Sequence, residues 1–148
     1  MRTTFLCAAF VAFLPVLAHA QSTASAITDF GLLGTWAGEC RESASPTNNH
    51  ATYAGTSSGG VQLRYQAGEG YEDSIYDIVE AKRLGPDRLS LRQVLIGNES
   101  VTLDIVLVRE NDRIRIWSSV FPDGTSLVED GILQSFVGRE TRWMARCS

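Results

Sequence analysis

The sequence predicts an all-β protein: an antiparallel up-and-down β-barrel of about eight strands, closed by one disulfide. Three observations carry that expectation. From about Leu33 onward apolar residues recur at every second position, the period of a strand buried on one side. Turn-forming combinations separate these runs: Gly85-Pro86-Asp87, Gly97-Asn98, Asn111-Asp112 and Pro122-Asp123-Gly124. Finally, Cys40 and Cys147 bracket the region, each four positions after a tryptophan, Trp36 and Trp143. Strands with no helix to cover a sheet bury their apolar faces best by closing into a barrel. Closure sets the first strand beside the last, which makes the two cysteines neighbours.

Residues 1–20 read as an export signal, with Arg2 in a short polar start, an apolar run from Phe5 to Leu17 broken by Pro15, and a small-x-small site at Ala18-His19-Ala20. Charges interrupt every later apolar run before the ~20 residues a membrane-spanning helix needs, so no membrane span is expected. Cys7 goes with the leader. Residues 21–148 then carry 12 basic and 17 acidic residues, a net charge of −5, without the concentrated basic face of a nucleic-acid binder. Only Lys82 among the basic residues is lysine, which leaves open a reading in which guanidinium groups recognise an anion. The expected location is periplasmic or secreted, and there Cys40 and Cys147 are expected to pair. Free thiols or an intermolecular bridge are the alternatives.

Residues 21–32 form an N-terminal segment, loose as far as Asp29, with Ala26–Leu33 suited to one helical turn plugging an end. The barrel domain follows over 33–148. Strands are expected near 33–41, weakly at 51–55, then at 60–67, 73–83, 88–96, 100–109, 113–121, 125–134 and 140–147, one of which exceeds the eight. The polar stretch Arg41–Gly60 is a long loop around the weak strand. Tyr71–Arg83 scores either as a helix with Ile75, Ile78, Val79 and Lys82 on a stripe or as a strand. Its β-branched and aromatic content, with a turn directly after it, favours the strand.

Face assignments follow from the period. Leu89, Leu91, Gln93 and Leu95 share one face. Val101, Leu103, Ile105 and Leu107 oppose Thr102, Asp104, Val106 and Val108. Ile114, Ile116, Ser118 and Val120 oppose Arg113, Arg115, Trp117, Ser119 and Phe121. A three-residue loop around Asn98 would set Arg92 across from Asp104. In a simple hairpin Asp130 faces inward. A bulge at Gly131 turns it outward instead, which the cost of burying an unpaired carboxylate favours. At the seam, pairing Cys40 opposite Cys147 leaves Trp36 without a partner and sets Trp143 near Ala44, the two rings covering opposite sides of the bridge.

Gly34-Thr35-Trp36, at the head of the first strand, resembles the Gly-x-Trp signature of the lipocalins and the wider calycin barrels. In that family the tryptophan plugs the barrel base and an arginine of the last strand packs over it, so the resemblance implies that role for Arg142 or Arg146, beside Trp143. The second lipocalin motif has only a partial counterpart in Glu110-Asn111-Asp112-Arg113, and the C-terminal helix of secreted lipocalins has none. The layout also resembles small exported proteobacterial proteins without an assigned activity.

Catalytic chemistry finds little footing. His50 is the single histidine after the leader, and Ser43, Ser45, Ser57 and Ser58 lie near it without a nucleophile-elbow pattern. One histidine and two cysteines give too few zinc ligands, so neither a metal nor a cofactor is expected. Glu69, Glu72, Asp73, Asp77 and Glu80 lack EF-hand spacing and read as a solvated acidic rim, with calcium binding or glycoside chemistry as weaker alternatives.

The expected function is non-catalytic binding. The first reading is a small apolar or amphipathic ligand held in the barrel mouth by Leu63, Tyr65, Leu91, Gln93, Leu103 and Ile105. The second is a protein-binding module, such as a periplasmic hydrolase inhibitor or an envelope stabiliser, which would use the 41–60 loop or the Arg113, Arg115 and Trp117 face. The chain is read as a monomer.

Overall fold

The computed structural model describes residues 22–136 and 138–148; the export-signal reading of residues 1–20 lies outside them. The period-two segments become β1 (Gly34–Ala37), β2 (His50–Gly55), β3 (Val61–Gln66), β4 (Ser74–Arg83), β5 (Arg88–Leu95), β6 (Thr102–Glu110), β7 (Arg113–Val120), β8 (Ser126–Glu129), β9 (Ile132–Leu133) and β10 (Met144–Cys147). All pairings are antiparallel. The sheet runs in the order β10-β1-β2-β3-β4-β5-β6-β7-β8-β9, and β10 also pairs with β7. That extra pairing closes β1–β7 and β10 into an eight-stranded barrel. β8 and β9 are additional strands that hang from the other half of β7, where Ser119 faces Val128.

Residues directly opposite one another point to the same face, so the register traces the interior. One inward row reads Gly34, Tyr53, Leu63, Tyr76, Leu95 and the next reads Val61, Ile78, Gln93, Leu103. Two bulges shift these rows. On β4 the extra residue is Val79, which is exposed while Ala81 turns inward. On β7 it is Trp117, so the sequence-based phase fails beyond it: Ser119 is buried in place of Ser118 and Val120. A bulge adds one residue to one strand, and strict alternation cannot anticipate it.

One end of the barrel is closed by α1 (Thr23–Phe30), a full helix that takes the plugging place expected of a turn at 26–33 and starts within the stretch 21–29 expected to be loose. Ser22 caps it by accepting from Ser25 N, Gly31 ends it in the left-handed region, and Ala26, Ile27 and Phe30 form its buried face against β4 and β5. Arg109, inward at the end of β6, donates to the carbonyls of Phe30 and Gly31 and lies 5.1 Å from the Phe30 ring. It thereby binds the carbonyls at the helix end, which lack partners within the helix.

At the seam the expected register is overturned. Cys147 pairs with Thr35 and Trp36 pairs with Arg146, while Cys40 lies beyond the end of the shorter β1. The bridge Cys40–Cys147 forms nonetheless, with a Cα separation of 5.3 Å. Trp36 is buried and donates to Leu32 O at 2.7 Å. Trp143 is placed by Arg115, 4.8 Å from its ring, not by Ala44. The expected strand at 125–134 splits into β8 and β9 around Asp130-Gly131, whose positive φ values of 49° and 78° make a two-residue hairpin turn. Asp130 is therefore exposed, by a tight turn and not by a bulge.

Candidate functional site

The closed and open ends of the barrel differ in chemistry. At the α1 end three arginines occupy inward positions, Arg83, Arg109 and Arg146. Each is engaged: Arg83 on Gly85 O and Pro86 O, Arg109 on the end of α1, and Arg146 on Leu33 O at 2.8 Å. Gly34, with φ 120°, lets the Arg146 guanidinium pack against the backbone, since a Cβ there would sit 3.2 Å from Nε. Of the two arginines that the lipocalin resemblance implied, Arg146 shares the register row of Trp36. Arg142 instead reaches across to Thr47 O and the Asn48 loop.

At the opposite end the inward positions carry no charge. Ala51, Tyr65 and Ser74 form the outermost row, and Tyr76, Leu95, Gln93 and Leu103 lie just below. Tyr65 is 38% exposed, whereas Gln93 is only 4% exposed. Between Ile78 and Leu103, the Gln93 side-chain oxygen Oε1 is buried without a hydrogen-bond partner. Such a group costs about 1–3 kcal/mol of desolvation that folding does not recover. Tyr53 is buried one row away, and burial, then its neighbour Tyr65, raises its hydroxyl pKa well above the ordinary tyrosine value. Tyr65 is raised too, first by burial and then by Tyr76. Tyr53 and Tyr65 thus favour their neutral forms.

Loops build the rim. Asn48 is buried and spans the 38–49 loop, accepting from Glu39 N and donating to Glu39 O. Gly68, with φ 92°, brings the β3–β4 loop against it: a Cβ there would lie 2.2 Å from Ala44 O. Tyr71 in that loop and Ile96 in the β5–β6 turn are exposed apolar residues at the same end.

The proposed ligand-contact residues divide by depth. Leu63, Leu91, Leu103 and Ile105 belong to one packed cluster with Ala26, Ile27 and Phe30, so the lower interior is core. Gln93 and Tyr65 remain as the polar members nearer the opening. The outer-face candidates are also brought together. Arg115 lies 5.5 Å from the Trp117 ring and 4.8 Å from Trp143, Arg88 stacks on Trp117 at 5.0 Å, and Glu140 holds Arg115 at 2.9 Å. Arg113 is exposed at the end of that strip. Arg88 went unnoticed in the sequence because only pairing across β5 and β6 sets it beside Trp117.

The remaining candidates stay apart. His50 approaches Asn48 at 3.4 Å, and Ser57 and Ser58 lie in the turn at the other end of β2. Three of the acidic cluster pair outward: Asp73 with Arg64, Asp77 with Gln62 and Glu80 with Arg92. Arg92 meets Asp104 at 2.8 Å across the ladder, as the sequence predicts. One surface groove of about 600 Å³ runs beside the β2–β3 turn past Gln62 and Asp77, and another of about 280 Å³ lies over Lys82, Ser90 and Arg92. Both are polar and neither borders Gln93. No protein-family model, curated protein or solved structure matches the chain.

Proposed function

We propose that this is an exported, non-catalytic binding protein that takes a small apolar or amphipathic ligand at the open end of its barrel. The observation that carries the reading is Gln93, an amide oxygen buried without a partner on the inward face below Tyr65, Tyr76 and Leu95. A barrel built for packing alone would be more stable with an apolar residue there. At the closed end the inward arginines bond carbonyls, and there the Arg109 Nε is buried without a partner as well. Tyr65 is exposed and Tyr76 and Leu95 are half-buried at that end, where a ligand would enter.

The protein-binding alternative draws on the Arg88, Trp117, Arg115 and Trp143 stack. Arg115 is tied there to Glu140 and two rings, its Nε buried without a partner, which suits a structural clasp better than a free hot spot. Native mass spectrometry of the oxidised protein, isolated without denaturation from cells that export it, separates the readings. The ligand reading expects an added non-protein mass of a few hundred daltons that disappears in Leu103→Trp. An added protein mass that disappears in Trp117→Ala and persists in Leu103→Trp would replace it.

A further inference from the structure

We infer that the groove beside the β2–β3 turn is a second binding site, and that it takes a short neutral saccharide whose hydroxyls bond Gln62 and Asp77. The groove lies on the outer face of the barrel and does not border Gln93, so the inference is independent of the ligand reading above.

Space comes first. The groove holds about 600 Å³, within the range of roughly 300–1,000 Å³ that small-molecule sites occupy. One wall is the β2–β3 turn, whose shape its own bonds fix. Thr56 N donates to Gly60 O and Gly59 N to Thr56 O, while Thr56 Oγ1 accepts from Gly60 N at 3.0 Å. The other wall is β4 at its bulge. Val79, the extra residue there, has no register partner in β3 or β5, and its side chain lines the groove 53% exposed. Bulges often re-aim a side chain beside a functional site, and this one presents methyl groups on an otherwise polar surface.

Hydrogen bonding comes second. Gln62 on β3 stands opposite Asp77 on β4, and its Nε2 donates to Asp77 Oδ1 at 2.8 Å. That bond orients both side chains and leaves Gln62 Oε1 and Asp77 Oδ2 as acceptors without a described donor. Ser57 Oγ, on the facing turn, makes no hydrogen bond among the described residues and can donate or accept. Two neighbouring sugar hydroxyls supply the donors that Gln62 and Asp77 lack, and a ring C–H face rests on Val79.

Charge comes third and selects among polar ligands. The described residues that line the groove include no Lys, Arg, His or aromatic ring, and Asp77 is their single charge. An anion would meet that carboxylate with nothing to offset it. A lone ammonium would gain little from one exposed carboxylate that already accepts from Gln62. A metal ion lacks ligands, since no group of three His, Cys, Asp or Glu converges among the described residues. A planar base lacks a ring to stack on. Neutral hydroxyls fit what remains, and their bonds to a carboxylate are the stronger kind.

The test titrates the oxidised protein with five probes and follows its backbone amide NMR signals: cellotriose, chitotriose and mannotriose, which are neutral; trigalacturonate, an anion; and spermidine, a cation. At least one neutral trisaccharide is expected to shift the amides of 56–62 and 77–80 and to saturate below ~10 mM. It should bind at least ~10-fold more tightly than trigalacturonate or spermidine. Asp77→Asn should weaken it ~5-fold or more, and Gln62→Ala/Asp77→Ala should abolish it while the circular-dichroism spectrum stays native. Trigalacturonate or spermidine binding as tightly as the best neutral sugar would overturn the ligand class. Saturating shifts outside the groove, unchanged affinity in Gln62→Ala/Asp77→Ala, or no saturation with any neutral trisaccharide would overturn the site.

Discussion

At the scale of single residues, Gln93 is where packing and polarity disagree. Its position on the inward face is legible from the alternation Leu89, Leu91, Gln93, Leu95, but its lack of a partner depends on neighbours from β4 and β6 that only the register supplies. Because Oε1 is unpaired, Gln93→Leu should stabilise the fold by about 1–2 kcal/mol in urea unfolding. A loss of similar size would mean that the amide has a structural partner. Tyr53 gives a pH prediction. Unfolded, it ionises near pH 10; folded, burial and then Tyr65 hold its pKa higher. Above pH 10 the unfolded chain therefore releases a proton that the native state retains, so stability is flat below that pH and falls as pH rises beyond it. Unfolding followed from pH 8 to 11.5 should show this decline, shallower in Tyr53→Phe. An unchanged slope in the variant would assign the decline to other groups.

At the scale of elements, the helix was the largest feature that alternation concealed. Its signals are present: Ser22 as cap, Ala26, Ile27 and Phe30 on one face, and Gly31 as the stop. They occupy only eight residues, and their stability comes from a barrel end that is assembled from strands far along the chain. Arg109 continues the inward series Leu103, Ile105, Leu107 and so could have been placed inside, yet its target, the end of α1, is tertiary. Phe30→Ala, which removes a ring 1% exposed against Arg109, should cost about 3–5 kcal/mol in thermal or urea unfolding. A cost under ~1 kcal/mol would show that α1 is not part of the cooperative core. The bulges at Val79 and Trp117 were unreadable for a related reason. Each adds one residue against its partner strand, and the sequence carries no distinct mark of it.

At the scale of the whole molecule, closure depends on little hydrogen bonding. β10 pairs with β1 at three positions and with β7 at two. The bridge between Cys40 and Cys147 spans 107 residues and constrains this seam. Chain entropy assigns such a loop roughly 4–5 kcal/mol, so Cys40→Ala/Cys147→Ala should lose stability of that order in urea unfolding. Its β10 amides should exchange with solvent faster than those of β5 and β6. Equal protection in both proteins would show that the seam holds without the bridge. The eight-stranded closure and the cysteine pairing were legible because the period-two runs and the turns between them set the first strand beside the last. The exact register was not, because Cys40 sits past the strand and only Trp36 opposite Arg146 fixes it.

The central claim, a ligand seated above Gln93, is tested most directly by recording the protein's NMR spectrum during titration with 1-naphthol. The Gln93 side-chain amide and the Leu95 and Leu103 methyl signals are predicted to shift together and saturate, while the Leu89 and Leu107 methyls and the Trp117 and Trp143 indoles stay in place. Saturating shifts confined to Trp117, Trp143 and their neighbours, or no saturating shift at all, would contradict it.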